Sequence, residues 1–308
     1  MNAEFWYRAF GLVICSDIEM PEFHPGEPGP ADARIEISDD PRRMRETLAP
    51  DLPTSGDFLR ALDGGALLRF ERVGVFFIVT TGRIAVAPRP DVETGLLRLY
   101  IAGSAMGTLF YLRRQLVLHA ATLLRPGGMS AIVGPSGAGK STLAAHLARA
   151  GYAILTDDTL PLSETGQGFV GWPGARLFKL WSDTLADLDQ TAAALETISD
   201  RYGKYYVPNP TPIVHEPSRL REIIVLEVGD HIAIDPLDGI EALKAVSDNI
   251  YRREFIAPLG LDAPYFQMLS RLCETTAAVR LTRPRDRRAI PETVSALAAH
   301  WAAVEPGE

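Results

Sequence analysis

Short alternating and β-branched runs fill the first hundred residues, and longer runs of helical period take over after them. Phe5 to Ile14 is aromatic and β-branched, Arg34–Ile37 alternates, and Leu67–Phe70, Gly74–Thr80 and Arg83–Ala87 are short apolar runs, the last stopped by Pro88. Pro21 to Pro30 reads as a loop, because its prolines cannot donate to a sheet ladder. From Leu96 to Leu116 the period becomes helical, with Leu97, Ile101, Met106, Leu109, Phe110 and Leu112 on roughly one side. The pattern predicts a smaller β-rich N-terminal domain over residues 1–95 and a second, α/β domain over 96–308.

In the second part, Leu116–Leu124 reads as one buried strand, Ser130–Val133 as the next after a Pro126-Gly127-Gly128 turn, and Gly151–Thr156 as a third that ends in Asp157-Asp158. Thr184 to Ser199 reads as helix, Tyr202 to Pro212 as a basic, aromatic loop and Arg221–Val228 as another buried strand. Helical patterns follow from about Ile240 to Phe255 and from Pro264 to Glu274, then a strand over Ala277–Leu281 and an amphipathic helix over Pro291–Ala303. There is no internal repeat and no low-complexity segment.

Between the second and third of those strands lies Gly134-Pro135-Ser136-Gly137-Ala138-Gly139-Lys140-Ser141, followed by Thr142 and a helical run to Arg149. It fits the phosphate-loop pattern GxxxxGK[ST] at every required position, in the strand–turn–helix setting that pattern needs. Its glycines let successive N–H groups converge on phosphate oxygens at a helix N-terminus. Lys140 is expected to reach the β- and γ-phosphates, and the Ser141 hydroxyl to ligate Mg²⁺. The loop therefore predicts a nucleoside triphosphate and Mg²⁺ as cofactors.

Composition narrows the partners. The 308 residues are 46% hydrophobic and carry a formal net charge of −8, which argues against a nucleic acid partner and a nucleic-acid motor. Cys15 and Cys273 are the two cysteines, so neither a disulfide framework nor a cysteine-rich zinc site is read, and a reducing cytoplasm is expected. Residues Met1 to Arg8 carry an acid and aromatics where a secretory signal has a basic and then an apolar region, and no stretch is counted that approaches the ~20 apolar residues of a membrane span.

Phosphoryl transfer needs a charge clamp, a metal and a group that orients or deprotonates the acceptor oxygen. Asp157-Asp158 is the candidate for the last two, because adjacent side chains on an extended segment face opposite ways. An Asp-Asp turn or helix cap is the alternative. His119, on an apolar strand, is by its pattern either a core residue with a backbone partner or a site residue. Arg176, Lys179 and Lys204, with Arg201, are candidates to neutralise charge on the transferred group, and each alone also reads as a solvated surface charge.

Taken in order, Leu118-His-Ala-Ala-Thr122, the glycine loop and Leu155-Thr-Asp-Asp158 resemble the HPr serine kinase/phosphorylase family, over roughly residues 105–230. The resemblance implies that the nucleotide is ATP, that His119 is an active-site residue, that Asp157 accepts the proton of a substrate serine, and that Asp158 assists and holds Mg²⁺ with Ser141. The whole-chain layout is similar to the smaller HPr-kinase-like proteins that include the tailoring kinases of lasso peptide gene clusters, which phosphorylate a serine of a precursor peptide. Phe5–Leu12 and Gly174–Trp181 resemble segments of that subgroup. The implied fold is the phosphoenolpyruvate-carboxykinase-like P-loop type with a mixed central sheet, and the implied partner is a peptide or small-protein serine acceptor, with a homo-oligomer as one further expectation. A nucleotide-gated binding module and a small-metabolite kinase are the competing readings.

Overall fold

The structure is a computed structural model that describes residues 4–38, 55–174, 176–188, 195–199 and 203–304. Eight strands make the first sheet: β1 Phe5–Ala9, β2 Leu12–Ser16, β3 His24–Pro25, β4 Ala33–Ile37, β5 Phe58–Leu62, β6 Gly65–Phe70, β7 Gly74–Val79 and β8 Arg83–Pro88, in the order β3-β1-β2-β4-β8-β7-β6-β5. The run from Phe5 to Ile14 is thus a hairpin and not one strand. Ala9 pairs with Leu12, which leaves Phe10 and Gly11 as a two-residue turn with φ of 57° and 74°. Such turns match the twist of the flanking strands and need positive φ at both central positions. Phe10 tolerates that conformation because its ring is buried edge-on against Phe23 and Phe110, and its N–H donates to Pro173 O at 2.6 Å.

A 19-residue helix, α1 Thr94–Leu112, follows, with a π-helical turn over Ile101–Ala105. It corrects the expectation that no stretch nears the length of a span: by length and composition it does, and 72% of its apolar window is buried inside the protein, as in a core helix. Its face meets both sheets. Ile14, Phe76, Leu109, Val117, Ile223 and Leu269 belong to one continuous apolar cluster that runs from the first sheet through α1 into the second.

The second sheet contains β9 Leu116–His119, β10 Ala121–Arg125, β11 Gly128–Val133, β12 Ala153–Thr156, β13 Thr159–Thr165, β14 Gly168–Gly171, β18 Ser218–Val228, β19 Ala233–Leu237 and β20 Ala277–Arg283. It is mixed: β18 lies parallel to β11 and β20, and the other neighbours are antiparallel. The apolar run Leu116–Leu124 is two strands in different places, since β9 pairs with β13 while β10 pairs with β11 and β12. They part at Ala120, whose N–H donates to Asp158 O at 3.1 Å, just after the His119 N–H donates to Asn249 O at 2.9 Å.

Three more strands, β15 Leu177–Trp181, β16 Thr197–Ser199 and β17 Lys204–Pro208, form a small antiparallel sheet in the order β15-β17-β16. Two expectations change here. Residues 204–208, read as loop, are a strand, because Tyr206 and Val207 are both buried and gain from pairing with β15. The helix expected over Thr184–Ser199 is limited to α3 Ser182–Asp187, and residues 197–199 are extended; residues 189–194 lie outside the described residues, as does Arg201. The remaining helices are α2 Lys140–Arg149, α4 Gly239–Ser247, α5 Asp262–Thr275 and α6 Ile290–Val304. A second cluster, which includes Ile132, Leu143, Leu147, Leu281 and Trp301, packs α2 and α6 onto the other face of the β11–β18–β20 strands.

Candidate active site

Strand β11 leaves the sheet at Val133 and runs straight into the glycine loop. Gly134 has φ of 149°, and a Cβ there would stand 2.7 Å from Leu226 O of β18, so the chain passes the neighbouring strand only without a side chain. Gly139, at φ of 96°, then turns the backbone into α2. Lys140, buried at the first position of that helix, folds back so that its ammonium donates to Gly134 O at 2.8 Å and Pro135 O at 3.4 Å. Burial pushes the Lys140 ammonium below its ordinary range, and Asp158 and Asp157 pull in the opposite direction.

Asp157 and Asp158 follow β12, and their carboxylates part as alternation requires. Asp157 is 5% exposed; its Oδ2 accepts the Lys179 N–H at 2.9 Å, and the Ser141 side chain hydrogen-bonds the same carboxyl group. Its Oδ1 is buried with no hydrogen-bond partner among the described residues. Burial dominates over those bonds and pushes the Asp157 carboxyl up to about 7. Asp158 takes the Lys179 ammonium on Oδ2 at 2.7 Å and His119 Nε2 on Oδ1 at 3.3 Å. Its burial also opposes ionisation, but the Lys179 ammonium and the His119 imidazole outweigh that and hold it well below the usual carboxylate range.

Two clefts meet at this cluster. The first, about 550 Å³, is lined by Ser136 to Thr142, both aspartates, Thr184 and Arg283. The second, about 650 Å³, is bounded by Ser104 of α1, Tyr251 and Arg252. They share the wall formed by His119, Ser136, Asp158, Lys179, Trp181 and Lys204. Asp157 lines only the first cleft and Asp158 lines both. The sequence reading set Asp158 with Ser141 and Asp157 toward the acceptor; here the Ser141 side chain hydrogen-bonds Asp157, and Asp158 lies on the wall that both clefts share.

The break at Ala120 delivers His119 to the shared wall, where its ring also packs edge-on against Tyr251 at 6.0 Å. Lys204 lies over the Trp181 ring, its Nζ 4.8 Å from the centroid, and burial pushes its ammonium down. Arg176 is not brought to the site. Its Nε donates to Pro21 O at 2.8 Å, and it lines a separate pocket with His24 and Asn209, so it braces the N-terminal loop. Gly134 and Pro135 contribute carbonyls to Lys140 and do not line the cleft, while Thr142 places its hydroxyl 3.1 Å from that of Thr184.

No group of three or more His, Cys, Asp or Glu side chains that could hold a metal occurs among the described residues. The partnerless Asp157 Oδ1 beside the Ser141 hydroxyl nonetheless fits a hard divalent cation that keeps most of its ligands from water and phosphate. No family model and no curated protein matches this chain. Among solved structures, it aligns with the HPr(Ser) kinase/phosphatase from Coxiella burnetii at a TM-score of 0.31 and 12% identity, over 62% of this chain and 99% of that one.

Sequence reasoning missed Arg283 and the second cleft. Arg283, the last residue of β20, opens a run of arginines that carries no motif, and Tyr251 and Arg252 are more than 100 residues downstream of the loop they face.

Proposed function

We propose that this chain is an ATP- and Mg²⁺-dependent kinase of the HPr-serine-kinase type, with the phosphoenolpyruvate-carboxykinase-like fold, that phosphorylates a serine hydroxyl of a peptide or small protein. The observation that carries the reading is the shared wall: a cleft floored by a phosphate-loop sequence opens onto a second cleft across His119, Asp158 and Lys179. Hydrolysis coupled to motion needs no second cleft at that point.

In this reading the triphosphate lies along the first cleft and the acceptor enters the second. The acceptor oxygen attacks the γ-phosphorus; a new O–P bond forms as the bond to the β-phosphate oxygen breaks, and ADP leaves with that electron pair. Asp158, kept ionised by Lys179, accepts the hydrogen bond of the attacking hydroxyl and orients it, and its contact with His119 gives the released proton a route to the imidazole. A low carboxylate pKa suits this task, because a loose phosphoryl-transfer transition state makes little demand on the base until late. Lys140 exchanges its loop carbonyls for phosphate oxygens, and Lys204 adds charge from the shared wall. Ser141 and Asp157 would hold Mg²⁺, which when bound offsets phosphate charge.

The direct test is incubation with γ-labelled ATP and a panel of serine peptides, a lasso precursor peptide and small hydroxyl metabolites among them. Label on a peptide serine is the expected result. ATP hydrolysis with no phosphorylated product across the panel would sink the kinase reading, and label on a metabolite alone would move the acceptor class.

A further inference from the structure

Arg283 ends β20, and the scheme above gives it no part. It is 4% exposed. Its Nη2 donates to Ala138 O of the glycine loop at 3.0 Å and its Nη1 to Pro284 O at 2.9 Å, while Nε is buried without a partner among the described residues. Neither of those acceptors is charged. The other deeply buried arginines have acids at hand: Arg98 pairs with Glu22 at 3.0 Å and with Glu196, and Arg125 feels Glu222. Burial pushes the Arg283 guanidinium down, and no carboxylate opposes it.

A buried cation without a counter-charge is among the costliest arrangements a protein keeps. This one is held against the part of the chain built to receive anions. It lines the first cleft with the loop, and it crowds Gly139 so closely that a Cβ there would overlap Nη2. Arg285 and Arg287 line the same cleft from the turn that follows, Arg287 with Asp183 at 3.9 Å, so basic side chains continue from its interior to its mouth.

We propose that Arg283 is a phosphate ligand of the first cleft, a cation whose missing partner is the polyphosphate chain of the nucleotide. The proposal rests on reading that cleft as a triphosphate site. The guanidinium is preorganised by Ala138 O and has an unused Nε–H, so it meets an anionic oxygen without giving up an ion pair.

The test compares the full chain with Arg283→Met and Arg283→Lys, using Mg·ADP, inorganic pyrophosphate with Mg²⁺, and adenosine as probes, by calorimetry and thermal unfolding. If the cation awaits an anion, R283M without ligand unfolds at the same temperature as the parent or higher, because an uncompensated charge has gone. Pyrophosphate then raises the unfolding temperature of the parent and of R283K but not of R283M. The Kd for Mg·ADP rises roughly 10- to 100-fold in R283M, the worth of a charged hydrogen bond, and that for adenosine stays put. If R283M unfolds at a lower temperature or fails to fold, and R283K binds Mg·ADP no better than a simple brace would predict, Arg283 only supports the loop and the proposal is overturned. It is also overturned if folded R283M binds both phosphate probes as the parent does. A parent protein that binds neither probe removes the triphosphate site itself, and the inference with it.

Discussion

Lys179 grips Asp158 through its side chain and Asp157 through its backbone: the ammonium lies 2.7 Å from Asp158 Oδ2, and the N–H lies 2.9 Å from Asp157 Oδ2. One residue of β15 thereby fixes both acids of β12's exit, and it lines both clefts.

Removing that lysine leaves a buried carboxylate without its main counter-charge. Lys179→Met is expected to lower stability by about 3–5 kcal/mol, because Lys140 and Lys204 act on Asp158 without a direct ion pair to it among the described residues. Urea unfolding should show the loss, and the double variant K179M/D158N should recover most of it. A double variant as unstable as the single one would mean that packing, not charge, is at stake.

Phosphoryl transfer should depend on Lys140 and Asp158 more steeply than nucleotide binding does. Lys140→Met and Asp158→Asn are each expected to lower the rate of labelled phosphate transfer by roughly 100-fold or more, as when a preorganised transition-state contact is deleted. Asp158→Asn should leave the Kd for Mg·ADP within about threefold, since the proposed reading sets that residue to orient the acceptor hydroxyl. Equal losses in both quantities would assign Asp158 to the nucleotide instead.

The two aspartates predict opposite responses of stability to pH. Asp157 is raised by burial to about 7, so its stabilising contribution is complete below the unfolded value of ~3.9 and drains away as pH rises through about 7. Asp158 is depressed, so its contribution is complete above ~3.9 and is lost as the medium becomes more acidic. The unfolding free energy of the ligand-free chain should therefore fall between about pH 4 and 7 with a limiting slope of roughly 1.4 kcal/mol per pH unit and level off above about 7, and Asp157→Asn should flatten that fall. Parallel curves for parent and variant would show that another group titrates.

Arg176 serves as the counter-test of the site's limits. Arg176→Ala removes the bond to Pro21 O and is expected to cost about 1 kcal/mol of stability while transfer rates stay within about twofold. A large fall in rate at unchanged stability would bring the N-terminal loop into the reaction.

Local chemistry was legible in the sequence where one residue type had one reason to be there. The spacing of Gly134, Gly137 and Gly139 before Lys140 named the loop, and the alternation of Asp157 and Asp158 foretold that their carboxylates would part. What stayed hidden depended on partners distant in sequence. Leu116–Leu124 is equally apolar on both sides of Ala120, so nothing in the pattern marks where β9 ends; the break is made by Asp158 O and Asn249 O, far along the chain. Lys204–Pro208 alternates too weakly to announce a strand, and becomes one because β15 offers an edge. The different partners of the two acids follow from Lys179, which periodicity alone could not orient.

The π-helical turn of α1 shapes the second cleft. Gly103 lies in that turn and Gly107 one turn later, and Cβ atoms there would stand 2.5 Å from Tyr251 Oη and 3.1 Å from Tyr251 Cε1. Two missing methyl groups therefore make the seat in which Tyr251, a wall of the second cleft, rests against the helix. If the second cleft receives the acceptor, as proposed, a single alanine at either glycine would slide the phenol forward and narrow the entrance, so selectivity for acceptor size could drift along α1 without any change to His119, Asp158 or Lys179.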